Sequence, residues 1–412
     1  MRKESGAMGN PPATAVQHSG ARHWAVMLAA LLLTMAFFFG VLEGAARLYE
    51  MWNPPMRVDL GQGFDDSSRL FIPDPENPAM MVTNPNKTIS FKRQSFGRIK
   101  PPRTLRIFVL GGSSVNFISE DFPLHAMALE SDLPDGYRVE SVNCGGLAYG
   151  SHRLVMITRE ILNYEPDFVV IYSGHNEFEE LQQLHLSHVS LAPVHRLLSR
   201  SALYRLLRDL AADRQLSGLK NAAQQRKLAG TEPQIAKGWT HPFTPEELAG
   251  RMPAYRANLE AIIRMCRSRN VEVVLGTVAS NLVNPNLIGD AAERYEREVR
   301  PLFDRGDYAG AMARGRQILA DTTPRHQSSD LENGIIRDLS RELNVPLADV
   351  ETIVAAAEPH GVPGETLFGD HCHLNQNGNW FLLFTYETTL RELIHKHLEK
   401  TGQPWTELGN SQ

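Results

Sequence analysis

Residues 105–114 read Leu-Arg-Ile-Phe-Val-Leu-Gly-Gly-Ser-Ser, a short apolar run that ends in two glycines and a pair of hydroxyl residues. Such a run predicts a buried strand over Leu105–Leu110, and the glycines permit a tight turn into a helix with Ser113 at its N-terminus. The pattern recurs downstream. Strands are predicted at Arg138–Asn143, Phe168–Ser173, Val271–Val278 and Val345–Val350. Helix-period segments lie among them at His152–Asn163, Leu259–Arg267 and Leu331–Leu343, with a closing helix from Trp380 to about His397. Near-continuous apolar strands separated by helices define a parallel sheet covered on both faces. The expected fold class is α/β, a doubly wound five-stranded parallel sheet of flavodoxin-like type.

The chain has 412 residues, 42% hydrophobic and 22% charged. That composition excludes a disordered, collagenous or wholly membrane-embedded protein and allows a large core. Lys plus Arg number 42 and Asp plus Glu 47, for a net charge of −5, so no nucleic-acid partner is expected. Three cysteines, Cys144, Cys266 and Cys372, are too few for a disulfide scaffold or zinc ribbon.

Residues 24–42 read WAVMLAALLLTMAFFFGVL, without a charge and long enough to cross a hydrocarbon core of about 30 Å. Arg2, Lys3 and Arg22 precede this run against the single acid Glu4, which places the N-terminus in the cytoplasm and the rest of the chain outside. A cleaved signal peptide is the rival, given the small Gly44, Ala45 and Ala46, but the apolar run exceeds the roughly 7–15 residues of a cleavable core. The expected organisation is a cytoplasmic segment at 1–23, a transmembrane anchor at 24–42 and a spacer at 43–102 packed on or beside an α/β domain. That domain covers 103–400, and a polar tail covers 401–412. From Asn53 to Pro102 the Pro-, Asn- and Asp-rich composition predicts irregular structure. Two stretches read as helical insertions. Residues 191–229 carry leucines at helical spacing among arginines, a pattern that suits a cap over the sheet or a helix on a membrane surface. Residues 291–320 predict two helices about a turn at Gly306, packed through Phe303, Tyr308, Ala311 and Ile318. This hairpin resembles one degenerate tetratricopeptide unit; a single copy cannot stack, so it reads first as a cap over the sheet and second as a candidate protein-partner surface.

In an open parallel sheet, ligands bind outside the carboxyl ends of the strands. After the first strand comes Gly111-Gly112-Ser113-Ser114, a hydroxyl nucleophile or, equally, a helix cap or phosphate cradle. The second strand leads into Asn143-Cys144-Gly145-Gly146-Leu147-Ala148-Tyr149-Gly150-Ser151, whose backbone N–H groups can stabilise an oxyanion. The third ends in Gly174-His175-Asn176-Glu177, where Asn176 supplies a side-chain donor. The fourth ends in Ala279-Ser280-Asn281, whose polar groups would line a pocket or form a turn. Near the end of the chain stands Asp370-His371-Cys372-His373. Asp370 and His373, three apart, can form the carboxylate–imidazole pair that a general base needs.

These segments resemble the four blocks of the SGNH/GDSL hydrolase family, in the same order over roughly Leu105–His395, and the form of the motifs is similar to a membrane-anchored bacterial branch of it. The resemblance implies a serine esterase with Ser113, Asp370 and His373 as its triad, and an oxyanion hole from the N–H of Ser113, the N–H of Ala148 and the amide of Asn176. Three positions depart from the family: Gly112 stands where Asp is usual, Ala148 where Gly is usual and Glu177 where Asp is common. Gly146 and Gly150 are alternative donors to Ala148, and with Asn281 they are candidate substrate-binding residues.

The expected substrate is an ester, with O-acetyl or another O-acyl group on a polysaccharide or lipid among the candidates, met at the outer face of a bacterial inner membrane. An O-acyltransferase acting on envelope polysaccharide uses the same residues with a sugar hydroxyl in place of water, and a non-catalytic envelope scaffold is a third reading. Asp370, His371 and His373 could instead ligate a metal, although no further ligand cluster accompanies them. Cys372 reads as a small buried residue, and a Cys144–Cys372 disulfide is an alternative in an oxidising compartment. No cofactor is expected, because no G-x-G-x-x-G or G-x-x-x-x-G-K-[ST] pattern follows a strand.

Overall fold

The computed structural model describes residues 18–52, 69–88, 90–118, 122–184, 197–198, 200–207, 210, 239 and 241–400. Five strands make the principal sheet: β4 (Thr104–Gly111), β5 (Arg138–Gly145), β6 (Phe168–Tyr172), β7 (Glu272–Gly276) and β8 (Leu347–Ala348). All neighbours pair in parallel, in the order β5-β4-β6-β7-β8. This is the doubly wound α/β arrangement expected from the sequence. The chain steps from β4 to β5 in one direction and then crosses β4 to build outward in the other, so the carboxyl ends of β4 and β6 border the topological switch point. Helices Ser151–Ile161, Pro245–Arg267 and Asp330–Leu343 pack together on one side. Phe122–Glu130, Val350–Ala357 and Gln376–Lys400 pack together on the other. β4 is buried along its whole length, as a central parallel strand requires.

The observed strands cover the predicted ones with ends shifted by a few residues, β8 being cut to two. The Pro245–Arg267 helix begins fourteen residues before the predicted Leu259, closed at its start by a capping box between Thr244 and Glu247.

Part of the region expected to be irregular is ordered. Strands β1 (Phe71–Pro73), β2 (Met80–Thr83) and β3 (Ser95–Gly97) form an antiparallel sheet, and Leu70, Phe71, Met81, Phe91 and Phe96 belong to the principal core. Two buried ionisable groups tie it down. The Glu160 carboxyl group accepts the N–H of Leu70 at 2.7 Å and of Phe71 at 2.8 Å. Fully buried Arg106, within β4, donates to Glu140 at 2.5 Å, to the Tyr164 carbonyl at 2.6 Å and to the Gly97 carbonyl at 2.7 Å. The apolar alternation of these strands is too short to read, but their rings fill the space beside β4: Phe71, Phe96, Phe108 and Tyr164 contact one another.

The 291–320 insertion turns at a left-handed Gly306 as expected, but three helices replace the two predicted, Asp290–Glu298, Arg300–Asp304 and Tyr308–Asp321, the first two divided at Val299. Ala311 and Ile318 are buried and Phe303 and Tyr308 half-buried in a small core of their own, with Tyr295 and Val299. Most of 191–229, all of 53–68 and the tail 401–412 lie outside the described residues. Near the N-terminus the His18–Trp52 helix contains one stretch, His23–Trp52, long and apolar enough to cross a membrane.

Replacing Arg106 by leucine leaves two carbonyls without their donor and Glu140 without its cation. We expect a loss of about 3 kcal/mol in urea unfolding of the detergent-solubilised chain. A loss under about 1 kcal/mol would mean that the small sheet is held by its rings alone.

Candidate active site

Ser113 opens a five-residue helix, Ser113–Phe117, directly after β4. Its N–H therefore lacks an intrahelical acceptor. The helix is fixed from two sides: Asn143 Nδ2 donates to the Val115 carbonyl at 2.7 Å, and Asn116 Nδ2 donates to the Gly145 carbonyl at 2.9 Å. The two elements approach so closely that a Cβ on Gly145 would lie 2.3 Å from the Asn116 nitrogen. This is why the second loop begins with glycine.

The Asp370 loop is a tight hairpin closed by a bridge between Phe368 and Leu374. Asp370 Oδ1 accepts the N–H of Cys372 at 2.8 Å and of His373 at 2.7 Å, while Oδ2 meets His373 Nδ1 at 2.7 Å. The other imidazole nitrogen, Nε2, lies 2.7 Å from Ser113 Oγ. A continuous chain of hydrogen bonds thus links a carboxylate, an imidazole and a hydroxyl that are about 260 residues apart in sequence. Partial burial would raise the Asp370 pKa, but the His373 hydrogen bond and the two amides outweigh it and hold the carboxyl well below its usual range. Asp370 therefore stays ionised at neutral pH.

Asn176 lies against the turn before Ser113. A Cβ on Gly112 would fall 2.2 Å from Asn176 Nδ2 and 3.1 Å from the Tyr149 carbonyl. Any side chain there would crowd that amide, so Gly112 is the residue that lets Asn176 stand beside Ser113. One Asn176 N–H is directed to the Tyr149 carbonyl at 3.2 Å, and an amide nitrogen carries two donors.

The second loop separates its candidate donors. The Gly146 N–H is bonded to the Gly111 carbonyl at 3.0 Å and the Gly150 N–H to Glu180 Oε1 at 3.1 Å, so both are committed within the fold and neither is a free donor. Leu147 and Tyr149 N–H are likewise bonded, to Ser90 and Gly146. Ala148 differs. No acceptor for its N–H occurs among the described residues, and its φ of +61° is the left-handed region that favours glycine.

Asn281 spends its polar groups within the fold. Its Nδ2 donates to the Asp370 carbonyl at 3.0 Å, its N–H to the His371 carbonyl at 3.1 Å, and its Oδ1 accepts from Val283 and Asn284. Its polar groups hold the Asp370 loop on the end of the fourth strand.

Sequence reasoning missed the residues that hold the second loop. Glu177 accepts the N–H and Oγ of Ser151, each at 2.8 Å, and is paired with Arg251. Glu180 accepts the N–H of Gly150, His152 and Arg153 and the Arg153 guanidinium at 2.8 Å. Both carboxylates are almost wholly buried. Burial opposes ionisation of Glu180, and the charges of Arg153 and Arg251 overcome it and lower its pKa. The signal available was the triplet Glu177, Glu179, Glu180 opening a helix, which reads as a favourable dipole pairing rather than as a clamp.

His175 is buried with Nδ1 accepting the Ser328 N–H at 3.0 Å. Burial first, then the neighbouring His373 and His371, push its pKa down to about 3, so it adds no charge to the site above that pH. Phe117 lies exposed with its ring 4.9 Å from that of His373. The possible metal ligands gathered here are Asp370, Cys372 and His373, without His371. Since both His373 nitrogens already have partners, a metal would displace either Ser113 or Asp370. Cys144 and Cys372 are buried free thiols, not a disulfide.

No family model and no curated protein matches the chain. Among solved structures it is similar in fold to a GDSL-like lipase from Bacteroides thetaiotaomicron, at 12% identity and a TM-score of 0.35, over 71% of this chain and 89% of that one. An acetylxylan esterase from Geobacillus stearothermophilus is similar at 12% identity and 0.38, over 76% and 100%. An acetyl xylan esterase designated AlAXEase is similar at 15% and 0.37, over 69% and 98%. At TM-scores this low, function is left to the chemistry of the site.

Asp370 is more acidic folded than unfolded, so it adds stability above the ordinary carboxyl pKa of about 4, and that stability is lost as pH falls below it. The Asp370→Asn variant should therefore unfold at lower urea than the native chain at pH 7, and the gap should narrow in acid. A gap independent of pH would show that the charge is not what holds the loop.

Proposed function

We propose that this chain is a serine esterase of the SGNH/GDSL type, held to a membrane by its N-terminal helix with residues 69–400 outside the cytoplasm. The observation that carries the reading is the unbroken chain Asp370–His373–Ser113, with both imidazole contacts at 2.7 Å. Ser113 Oγ attacks the ester carbonyl as its proton passes to His373 Nε2, and Asp370 stabilises the imidazolium. The carbonyl oxygen, now an oxyanion, is met by the N–H of Ser113, the N–H of Ala148 and Asn176 Nδ2. Collapse expels the alcohol, which takes the proton from His373 and leaves an acyl group on Ser113. Water then adds, giving up a proton to the same nitrogen, and the acid departs as Ser113 recovers its hydrogen. O-Acetyl and other short O-acyl esters are the proposed substrates.

The lysine and arginine bias before residue 24 supports the cytoplasmic placement of the N-terminus. The proposed site needs no cofactor, since the nucleophile, the base and the oxyanion donors are all supplied by the chain.

Ser113→Ala and His373→Ala should each lower p-nitrophenyl acetate turnover by about 10⁴-fold or more, and Asn176→Ala by about 10²–10³-fold. Gly112→Ala, which displaces Asn176, should approach the Asn176→Ala value. Turnover that survives Ser113→Ala would overturn the serine mechanism. Silence of the native chain toward water, with acetyl transfer to added oligosaccharide, would make the chain a transferase instead.

A further inference from the structure

The His18–Trp52 helix does not stop where its uncharged run stops. From Trp24 to Trp52 it extends about 43 Å at 1.5 Å per residue, close to the full bilayer thickness with headgroups of about 40–45 Å. With residues 24–42 in the hydrocarbon, residues 43–47 cross the outer headgroup layer of about 5–7 Å and residues 48–52 run on just past it. They carry Glu43, Arg47 and Glu50 on one helix face, at i, i+4 and i+7.

That face is occupied by part of the 191–229 insertion. Glu43 accepts the Ser201 hydroxyl at 2.7 Å, the Ala202 N–H at 2.9 Å and the Leu203 N–H at 3.0 Å, so it caps the helical turn that begins at Ala202. Glu50 receives the Arg205 guanidinium through two nitrogens, Nε at 2.8 Å and a second from the same fork. Arg47 pairs with Glu43 at 2.8 Å and donates to the Arg200 carbonyl at 3.3 Å. Ala46 and Ala202 are buried, which places small side chains where the two backbones meet.

Leu203 and Leu206 of the same segment are half-buried, but its other four described leucines do not turn inward. Leu197, Leu198, Leu207 and Leu210 are 43–63% exposed, and Leu48, Met51 and Trp52 on the long helix are exposed as well. Apolar side chains left bare on a segment bolted to a helix where it leaves the bilayer have one solvent available that favours them, the boundary between headgroups and acyl chains. Arg200 supplies a cationic group there, as interfacial helices do, while Arg205 is buried against Glu50.

We infer that residues 197–198, 200–207 and 210 make a second contact with the lipid bilayer, docked through Glu43 and Glu50 on the outer end of the anchor. The inference rests on residues 24–42 spanning the membrane. It bears on the substrate. The helix Glu177–Leu184, which starts beside Asn176, is separated from Leu197 by twelve residues, at most about 45 Å of extended chain. With the roughly 11 Å of that helix added, the site is held within about 56 Å of the bilayer by this route, and an ester borne by a lipid or presented at the membrane surface is the substrate class that such tethering favours.

The test uses the full chain in nanodiscs of phosphatidylethanolamine and phosphatidylglycerol, spin-labelled at Leu33→Cys, Leu207→Cys or, as an aqueous reference, Arg341→Cys. The native cysteines are buried. Accessibility to oxygen relative to a polar nickel chelate should be at least about threefold higher at 207 than at 341, and higher again at 33. A lipid-like value at 33 with an aqueous value at 207 would overturn the second contact and leave the anchor standing. An aqueous value at 33 would overturn both. Low accessibility to both reagents at 207, relieved in nanodiscs holding a single chain, would assign the leucines to a second copy and overturn the lipid contact. The pair Glu43→Gln and Glu50→Gln should lower the ratio at 207 toward that at 341 without changing the value at 33. No change at 207 would show that these carboxylates do not dock the segment.

Discussion

Helix Ser151–Ile161 begins, like any helix, with N–H groups that have no partner inside it. Gly150, Ser151, His152 and Arg153 hand all four to two carboxylates of the following αβ unit, Glu177 and Glu180. The rest of the site depends on that exchange. It joins the loop after β5 to the residues that follow β6, and so fixes Ala148 and Tyr149 relative to Asn176. Two buried charges on one side would be prohibitive alone. Arg153 and Arg251 neutralise them, and Asn258 and Ser151 complete the network.

This dependence explains why the donors could not be sorted from the sequence. Gly146, Ala148 and Gly150 are three N–H groups in one loop, chemically alike. What separates them is which acceptors the fold brings near: the Gly111 carbonyl for one, Glu180 for another, none among the described residues for Ala148. The same holds for Asn281, which looks like a pocket residue until the Asp370 and His371 carbonyls arrive beside it. Ser113, Asp370 and His373 were legible for the opposite reason. A hydroxyl just after a Gly-rich strand end and an Asp-x-x-His loop are constrained by local geometry, and parallel topology brings strand ends together whatever the sequence between them.

The fold was legible to the extent that its strands are apolar and flanked by turns. β4, β6 and β7 are buried on both faces and read directly, whereas β1 to β3 are three or four residues long and have no period to detect. Their burial is decided by partners elsewhere, the rings beside β4, the Arg106 guanidinium and the hydrogen-bond acceptors of Glu160. The early start of the Pro245–Arg267 helix was written in the Thr-Pro-Glu-Glu of residues 244–247, a capping box that the interior Pro253 obscures. The short strands also move the practical limit of the folded unit. Cutting before Thr104 would strip Phe71 and Phe96 from the core, so the unit extends back at least to Leu70.

The contact of Ser201–Arg205 with Glu43 and Glu50 is made of hydrogen bonds and ion pairs, not of peptide bonds. The chain therefore joins its anchor twice, once covalently through residues 53–68 and once by this contact. Proteolysis between Trp52 and Arg69 would sever only the first link. The cleaved product would behave as a complex of two fragments, retained at the membrane by a clamp whose two partners are set at high effective concentration before the cut, and shed on a timescale fixed by the clamp's dissociation rate and by salt.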